Sequence, residues 1–402
     1  MRIALNFQRL DPTRGGAETY VVDLCHRLIR AGHEVDLYAE SWDPSALPEG
    51  VRPVRVEAPG WTRWRRTWSF ARNSELALRK ARGEYGCSLG FINTWHHDVL
   101  IPQGGVHSAS LLANSKRFEP GWRRPAYLLG KRANPKDWMY RAIERRQYDP
   151  ARGARYVAVS RMVRDDLERI HDVPRDRIHV IPNAIDAGRL VVDDPAAARR
   201  DFREGLGLHP SDLVALFVGH NYELKGLKPL LLAMKERLVR DPGVRPLTLL
   251  ACGGGEAGSF RSLARSLGLG DRVHFLGFQA DIRPCFHASD FFALPTYYDP
   301  CSLVVFEALA CGLPVVTTAC NGAGELITEG REGFVVPSPD HREALADAFD
   351  RMADDPARKL MSAQASRLGR EQSFDRHVAS LVRLFEEVAR SKCRPDSSRT
   401  AA

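Results

Sequence analysis

Two carboxylates stand eight residues apart in the segment "YYDPCSLVVFEALACGLPVV", Tyr297 to Val316: Asp299 and Glu307. At 3.6 residues per turn they fall on roughly one helix face, Asp299 at the mouth and Glu307 about two turns on. Pro300 fits a first helical turn, and Asp299 or Ser302 could cap the exposed N–H groups. Leu303, Val304 and Phe306 would then pack the opposite side. A cap accounts for Asp299. It does not account for Glu307, set among Val305, Phe306, Ala308 and Leu309. A carboxylate there costs free energy unless it is hydrogen-bonded, and a pair of ligand hydroxyls would serve. Gly312 and Pro314 end the helix and lead into the strand "PVVTT".

Two further segments carry anion chemistry. "GGAE", Gly15 to Glu18, opens the first helix. Paired glycines let a backbone approach a phosphate, and a helix N-terminus offers free N–H groups, although a plain strand-to-helix turn reads the same way. "VGHNYELKG", Val218 to Gly226, places Lys225 after a strand, where it is either a point charge for a diphosphate or a surface lysine.

The elements that must position these residues alternate along the chain. "RIALNF", "HEVDLY", "RYVAVS", "IHVIP", "LVALFVG", "LTLLACG", "RVHFLGF" and "DFFALP" read as buried strands, separated by helical patterns such as Ala17–Ala31. That rhythm means βαβ units and parallel sheets covered on both faces. The strands are too many for one sheet, and the break falls after "VIPNAID". Two doubly wound domains follow, 1–185 and 186–371, with a helix over 373–391 packing back on the first and a disordered tail over 392–402. Ligands in such sheets sit at the carboxyl ends of strands, so two facing domains imply a cleft there.

The 402 residues are 44% hydrophobic and 27% charged, which suits a soluble globular protein. Eight cysteines lack metal-ligand spacing, and Cys25, Cys252 and Cys311 lie in apolar runs, as expected of reduced thiols in a cytoplasmic protein. "MRIALNFQRL" turns polar after Phe7 and reads as a first strand, not a signal peptide. The net charge of +8 calls for anionic partners without saying which.

Taken together, "GGAE", "VIPNAID", "VGHNYELKG", "VHFLGF" and the Tyr297–Val316 segment resemble the retaining family 4 glycosyltransferases of the GT-B fold, in order and over nearly the whole chain. Within that family the layout is most similar to lipopolysaccharide core glucosyltransferases acting on heptose. The resemblance implies that Glu307 holds the ribose hydroxyls of a nucleotide and that Asp299, normally Glu, contacts the transferred sugar. It implies that the helix start at Ser302 and Leu303 binds the distal phosphate and that Lys225 neutralises the diphosphate. Gly15 and Gly16 would form the loop that closes over the phosphates, Phe278 would lie beside the base, and His107, after "IPQGGV", would serve the reacting carbon. A histidine satisfied within its own loop is the alternative for His107. His220 stands where the family has arginine, so a titratable group replaces a permanent charge.

The implied reaction is metal-independent transfer of a hexose with retention, with UDP-glucose as first choice of donor. The acceptor would be a lipid-linked or cell-envelope glycan. A UDP-sugar epimerase on the same fold and a non-catalytic nucleotide-sugar-binding subunit are the alternatives.

The basic charge has its own pattern. Segment 61–82 holds seven Lys/Arg against one acid and interleaves Trp61, Trp64 and Trp68. Segment 107–148 mixes Lys116, Arg117, Arg123, Arg124, Lys131 and Arg132 with Trp122, Tyr127, Trp138 and Tyr140. Aromatics beside cations suit an anionic bilayer surface, at the inner face of the cytoplasmic membrane, although core aromatics with solvated arginines give the same pattern. Nucleic acid ranks below it, because no nucleic-acid motif accompanies the aromatics.

Overall fold

The computed structural model describes residues 1–11, 15–81 and 83–393, and its chain forms two α/β units. One holds Met1–Ser115, Pro120–Pro182 and the helix Phe374–Cys393; the other holds Lys116–Glu119 and Asn183–Ser373. The tail expected from residue 392 lies, from residue 394 on, outside the described residues.

The first unit is built on seven parallel strands, in the order Val51–Arg55, Glu34–Ala39, Arg2–Asn6, Cys87–Gly90, Val99–Leu100, Arg155–Ala158 and Ile178–Val180. The second has six: Val273–Gly277, Leu247–Cys252, Leu213–Val218, Phe291–Leu294, Val315–Thr318 and Gly333–Val336, all parallel. In each sheet the chain winds outward one way, then returns to the first strand's other side. This leaves a switch point between Arg2–Asn6 and Cys87–Gly90, and another between Leu213–Val218 and Phe291–Leu294, where Leu216 pairs with both Leu250 and Phe292. The central run "LVALFV" is continuously apolar, and "LTLLAC" is so apart from the buried Thr248, because helices cover both faces.

Four strands of these two sheets escaped the sequence reading, as did the small pair Arg9–Leu10 and Ser41–Trp42. Val51–Arg55 contains Pro53, tolerated because this strand is an edge. Cys87–Gly90, Val99–Leu100 and Gly333–Val336 are four residues or fewer, too short for a period to show. The observed unit boundary follows Pro182, because Ile185 bridges to Ser373 and donates its N–H to the Gln372 carbonyl at 3.4 Å. The two linker stretches therefore run side by side within the second unit.

The helix Phe374–Cys393 is held by the ion pairs Arg27–Asp375 and Lys392–Asp98 and by a buried histidine. His377 Nδ1 lies 2.8 Å from the Pro182 carbonyl and donates to it, so the neutral ring's Nε2 accepts from the Tyr20 hydroxyl at 2.6 Å. Phe374 packs on the Tyr20 ring at 5.3 Å. Burial pushes the His377 pKa down to about 4. An unfolded histidine titrates near 6.5, so between about pH 6.5 and 4 the unfolded chain takes up a proton that the native unit refuses. Stability is complete above that window and falls through it as the pH drops. His97, held down at about 3 by burial, adds a slope of the same sign. Denaturant unfolding of His377→Gln between pH 6.5 and 4 should show a slope smaller than the parent's by about 1.4 kcal/mol per pH unit. Equal slopes would show that His377 does not refuse the proton.

Candidate active site

The second unit's switch point lies between the loop after Leu213–Val218 and the loop after Phe291–Leu294. Leu224 ties the two together: its carbonyl accepts from Tyr297 N at 2.9 Å and from Thr296 Oγ1 at 3.0 Å. Gly226 has φ +82°, and a Cβ there would collide with the Pro295 carbonyl, so only glycine permits this approach. Lys225 and Asp299 emerge from the two loops and form an ion pair, Nζ to Oδ2, with the carboxylate buried and the lysine side chain 24% exposed.

Asp299 therefore does not cap the helix as the sequence reading allowed. Its backbone is pinned in an extended bridge with Asn321, accepting from Gly322 N and donating to the Cys320 carbonyl, each at 2.9 Å. That aims the carboxylate at Lys225, a charged partner worth more than a neutral cap. Pro300 lies ahead of the helix, which runs Leu303–Ala310.

The mouth of this helix is open. Ser302 is the N-cap, but its hydroxyl makes no capping bond and the first turn holds no acid. Two asparagines hold the mouth from behind. Asn183 Nδ2 donates to the Cys301 carbonyl at 2.9 Å, and Asn321 Oδ1 accepts from Ser302 N at 3.4 Å and Ala323 N at 3.1 Å. The N–H groups of Leu303 and Val304 have no acceptor among the described residues. Free N–H groups and the positive end of the helix dipole make an anion seat.

Glu307 lies one turn inside. Val305, Phe306, Ala308 and Leu309 are buried, whereas Leu303, Val304, Glu307 and Ala310 share the half-buried stripe. The expectation that Leu303 and Val304 pack the opposite side is thus corrected: they flank Glu307 on its open face, because the helix begins later than Pro300. The Glu307 carboxylate has no hydrogen bond among the described residues, and desolvation pushes its pKa up to about 7. It is a polar group held ready for a partner.

His220 and Phe278 lie along the same sheet edge. Gly253, Gly254 and Gly255 follow the strand Leu247–Cys252. A Cβ on Gly253, which has φ +134°, would strike the Gly219 carbonyl, and one on Gly254 would sit 3.3 Å from His220 Nδ1. Gly253 N donates to the Gly277 carbonyl at 2.8 Å, next to Phe278, which is 64% exposed. The glycine triplet packs against the loop that carries His220, and the sequence reading passed over it as a strand end. Three successive glycines after an apolar run were the available signal.

Gly15, Gly16 and His107 belong to the first unit. Gly15 precedes the helix Gly16–Arg30 and accepts from Thr19 N at 3.4 Å. His107 opens the helix His107–Ser115, whose first N–H groups are capped by Glu144: it accepts from His107 N, from Ser108 N at 3.2 Å and from Ser108 Oγ at 2.7 Å. The His107 ring stands 3.8 Å from Asp137 and beside Tyr140, lining a cavity of about 180 Å³ with Glu144 and Asn93. Burial lowers its pKa below the ordinary histidine value, so the ring is neutral at pH 7.

A lysine, an open helix mouth and an unpaired carboxylate come together at the switch point of a doubly wound sheet, groups whose chemistry suits an anionic ligand. Residues 212–355 match the family described as Glycosyl transferases group 1, and residues 14–189 match Glycosyltransferase Family 4. The chain belongs to this family of glycosyltransferases. It is 30% identical to the D-inositol 3-phosphate glycosyltransferase of Actinosynnema mirum, over 93% of this chain and 92% of that protein. To the protein of the same name from Corynebacterium efficiens it is 33% identical, over 98% and 97%.

Among solved structures, WaaG, a glycosyltransferase involved in lipopolysaccharide biosynthesis, superposes with a TM-score of 0.77 at 20% identity, covering 95% of this chain and 99% of that one. Anabaena HepE, solved in complex with UDP-glucose, superposes at 0.68 with 18% identity, covering 97% and 100%. These likenesses establish the GT-B fold. The likeness to WaaG, at 20% identity, shows the fold alone, and these sequence relatives carry the inositol-phosphate name and not the lipopolysaccharide or heptose one expected from the sequence.

Among the described residues no three His, Cys, Asp or Glu side chains are grouped to hold a metal ion, and no helix is long and apolar enough to cross a membrane.

Proposed function

We propose that the protein transfers a hexose from a nucleotide sugar, UDP-glucose first, to a lipid-linked or cell-envelope glycan with retention at the anomeric carbon. One observation carries the reading: the Lys225–Asp299 pair lies at the switch point, Asp299 three residues ahead of the uncapped helix mouth at Ser302, with the unpaired Glu307 one turn inside that helix. The diphosphate takes the helix N–H groups and draws Lys225 from Asp299. The freed Asp299 carboxylate accepts from a sugar hydroxyl, and Glu307 accepts from the ribose pair. The anomeric C–O bond to the diphosphate then breaks, the acceptor oxygen bonds on the same face, and its proton passes to the departing phosphate oxygen. Lys225, His220 and the helix mouth stabilise the leaving charge without a metal.

Gly16 is assigned to the donor loop and His107, neutral when buried, to the reacting carbon. Exposed Trp61, Trp122, Leu129 and Trp138 lie in the two basic segments. They support peripheral association with an anionic membrane from the cytoplasmic side. A second acceptor, a phosphorylated inositol, is favoured by the name of the sequence relatives.

A thermal-shift screen of nucleotide sugars tests the donor half. A bound donor at 100 times its Kd stabilises by about 2.7 kcal/mol. That moves the Tm of a unit of this size by roughly 5–10 °C. A screen in which no nucleotide sugar moves the Tm would remove the reading. Product formed only when an acceptor is supplied separates transfer from epimerisation and from simple binding.

A further inference from the structure

The first unit contains an open cavity of about 590 Å³ walled by Pro59, Trp61, Trp64, Trp68, Trp138 and Met139. It forms where the chain leaves the strand Val51–Arg55 and enters the helix Arg63–Lys80, at the carboxyl-end edge where open α/β sheets take ligands. Trp64 and Trp68 are one turn apart on that helix, and Trp61 precedes its N-cap, Thr62. Trp138 comes from the helix Pro135–Gln147. The floor is fixed: Trp68 meets the buried Trp95 edge-on at 5.0 Å. The rim is not covered, with Trp61 87% and Trp138 63% exposed. Apolar area of this kind left open to water marks a binding surface.

The walls decide the occupant. A sugar ring needs a hydrogen-bond partner for nearly every hydroxyl it buries. Here Ser69 spends its hydroxyl on the Pro59 carbonyl at 2.7 Å, and the Arg65 guanidinium lies over the Trp61 and Trp64 rings at 5.3 and 5.2 Å. A hydrocarbon chain needs no such partner. The helix that carries Trp64 and Trp68 brings charge of one sign, because its first turn carries Arg63, Arg65 and Arg66 and no acid. Arg66 is engaged with Glu40, whereas Arg65 lines the cavity and is the cation available to an incoming head group.

We propose that this cavity binds the hydrocarbon chain of a phosphate-bearing lipid, its head group paired with Arg65, and so seats the lipid part of the acceptor. The inference deepens the acceptor half of the reading above and rests on that acceptor being lipid-linked. Alkyl phosphates of eight, ten and twelve carbons, kept below their micelle concentrations, probe it in titrations of the full chain. Affinity should rise roughly fourfold per added methylene, the transfer value for a buried CH₂. The double variant Trp61→Ala/Trp138→Ala, at exposed positions that leave the Tm unchanged, should lose at least tenfold. Arg65→Gln should weaken dodecyl phosphate and leave dodecyl maltoside unaffected.

Affinity independent of chain length, parent-like binding by the double variant, or equal binding of inorganic phosphate each overturn the proposal. Vesicles of phosphatidylcholine with one-quarter phosphatidylglycerol separate the sources. If they bind parent and double variant alike while alkyl phosphates bind neither, the surface association stands and the cavity has no lipid role. The donor thermal shift reads donor binding, and product formed with an acceptor reads glycosyl transfer, independently of both.

Discussion

Lys225→Ala should lower the rate of sugar transfer by about 10²–10³-fold, the usual cost of removing one preorganised group that stabilises developing charge. The lysine meets a negative charge in both states of the proposed cycle: Asp299 before the donor arrives, the diphosphate afterwards. Because the leaving diphosphate gains charge as the anomeric bond breaks, the loss should fall mainly on kcat, with a smaller rise in KM for the donor.

The variant also strands the Asp299 carboxylate in a buried position, at about 1–3 kcal/mol. Rate and unfolding must therefore be measured together, with Asp299→Asn in a Lys225→Ala background restoring stability but not rate. Parent-like kcat in a folded Lys225→Ala protein would end the assignment of Lys225 to the leaving group.

Glu307→Gln is expected to move binding and stability in opposite directions. The parent carboxylate has a folded pKa of about 7 against an ordinary glutamate value of 4.5, because burial disfavours its charge. Between those two values the native state binds the proton more readily than the unfolded chain. The donor-free protein is therefore destabilised as the pH rises from 4.5 to 7, and the deficit is complete above 7. The glutamine variant carries no such deficit. Its unfolding free energy should exceed the parent's at pH 8, by an amount bounded at about 3 kcal/mol, with a correspondingly higher Tm, and approach the parent's near pH 5.

Donor binding runs the other way. If the ionised carboxylate accepts from the ribose hydroxyls, the variant loses about 10- to 100-fold in affinity, the range for hydrogen bonds to a charged group. The parent's affinity should fall about tenfold from pH 8 to pH 6, following the ionised fraction. Calorimetric titration of donor at both pH values, beside thermal unfolding without donor, measures the two effects. A glutamine variant that binds donor like the parent at pH 8 sinks the ribose assignment.

Glu307 itself was legible in the sequence, because an acid inside "VVFEALA" has no structural excuse. So was the lysine after a strand, and so was the doubly wound architecture, since buried parallel strands write themselves as apolar runs. The start of the helix was not. Proline fits a first turn by local preference, but here the backbone at Asp299 is claimed by Cys320 and Gly322, which delays the helix to Leu303 and turns Leu303 and Val304 outward. Nor were the short strands: Val99–Leu100 owes its pairing to Leu89 and Tyr156, not to any pattern of its own.

The sequence by itself determined which groups are available: two acids, a lysine, a histidine, glycines and a helix with no charged first turn. Only the tertiary structure decided their partners. Lys225 and Asp299 are 74 residues apart, and they meet because the sheet reverses its winding between the strands that precede them. Periodicity reports which way a side chain faces over a few residues. It carries nothing about which distant loop that side chain will find, and here that meeting joins the cation to the acid beside an open helix mouth.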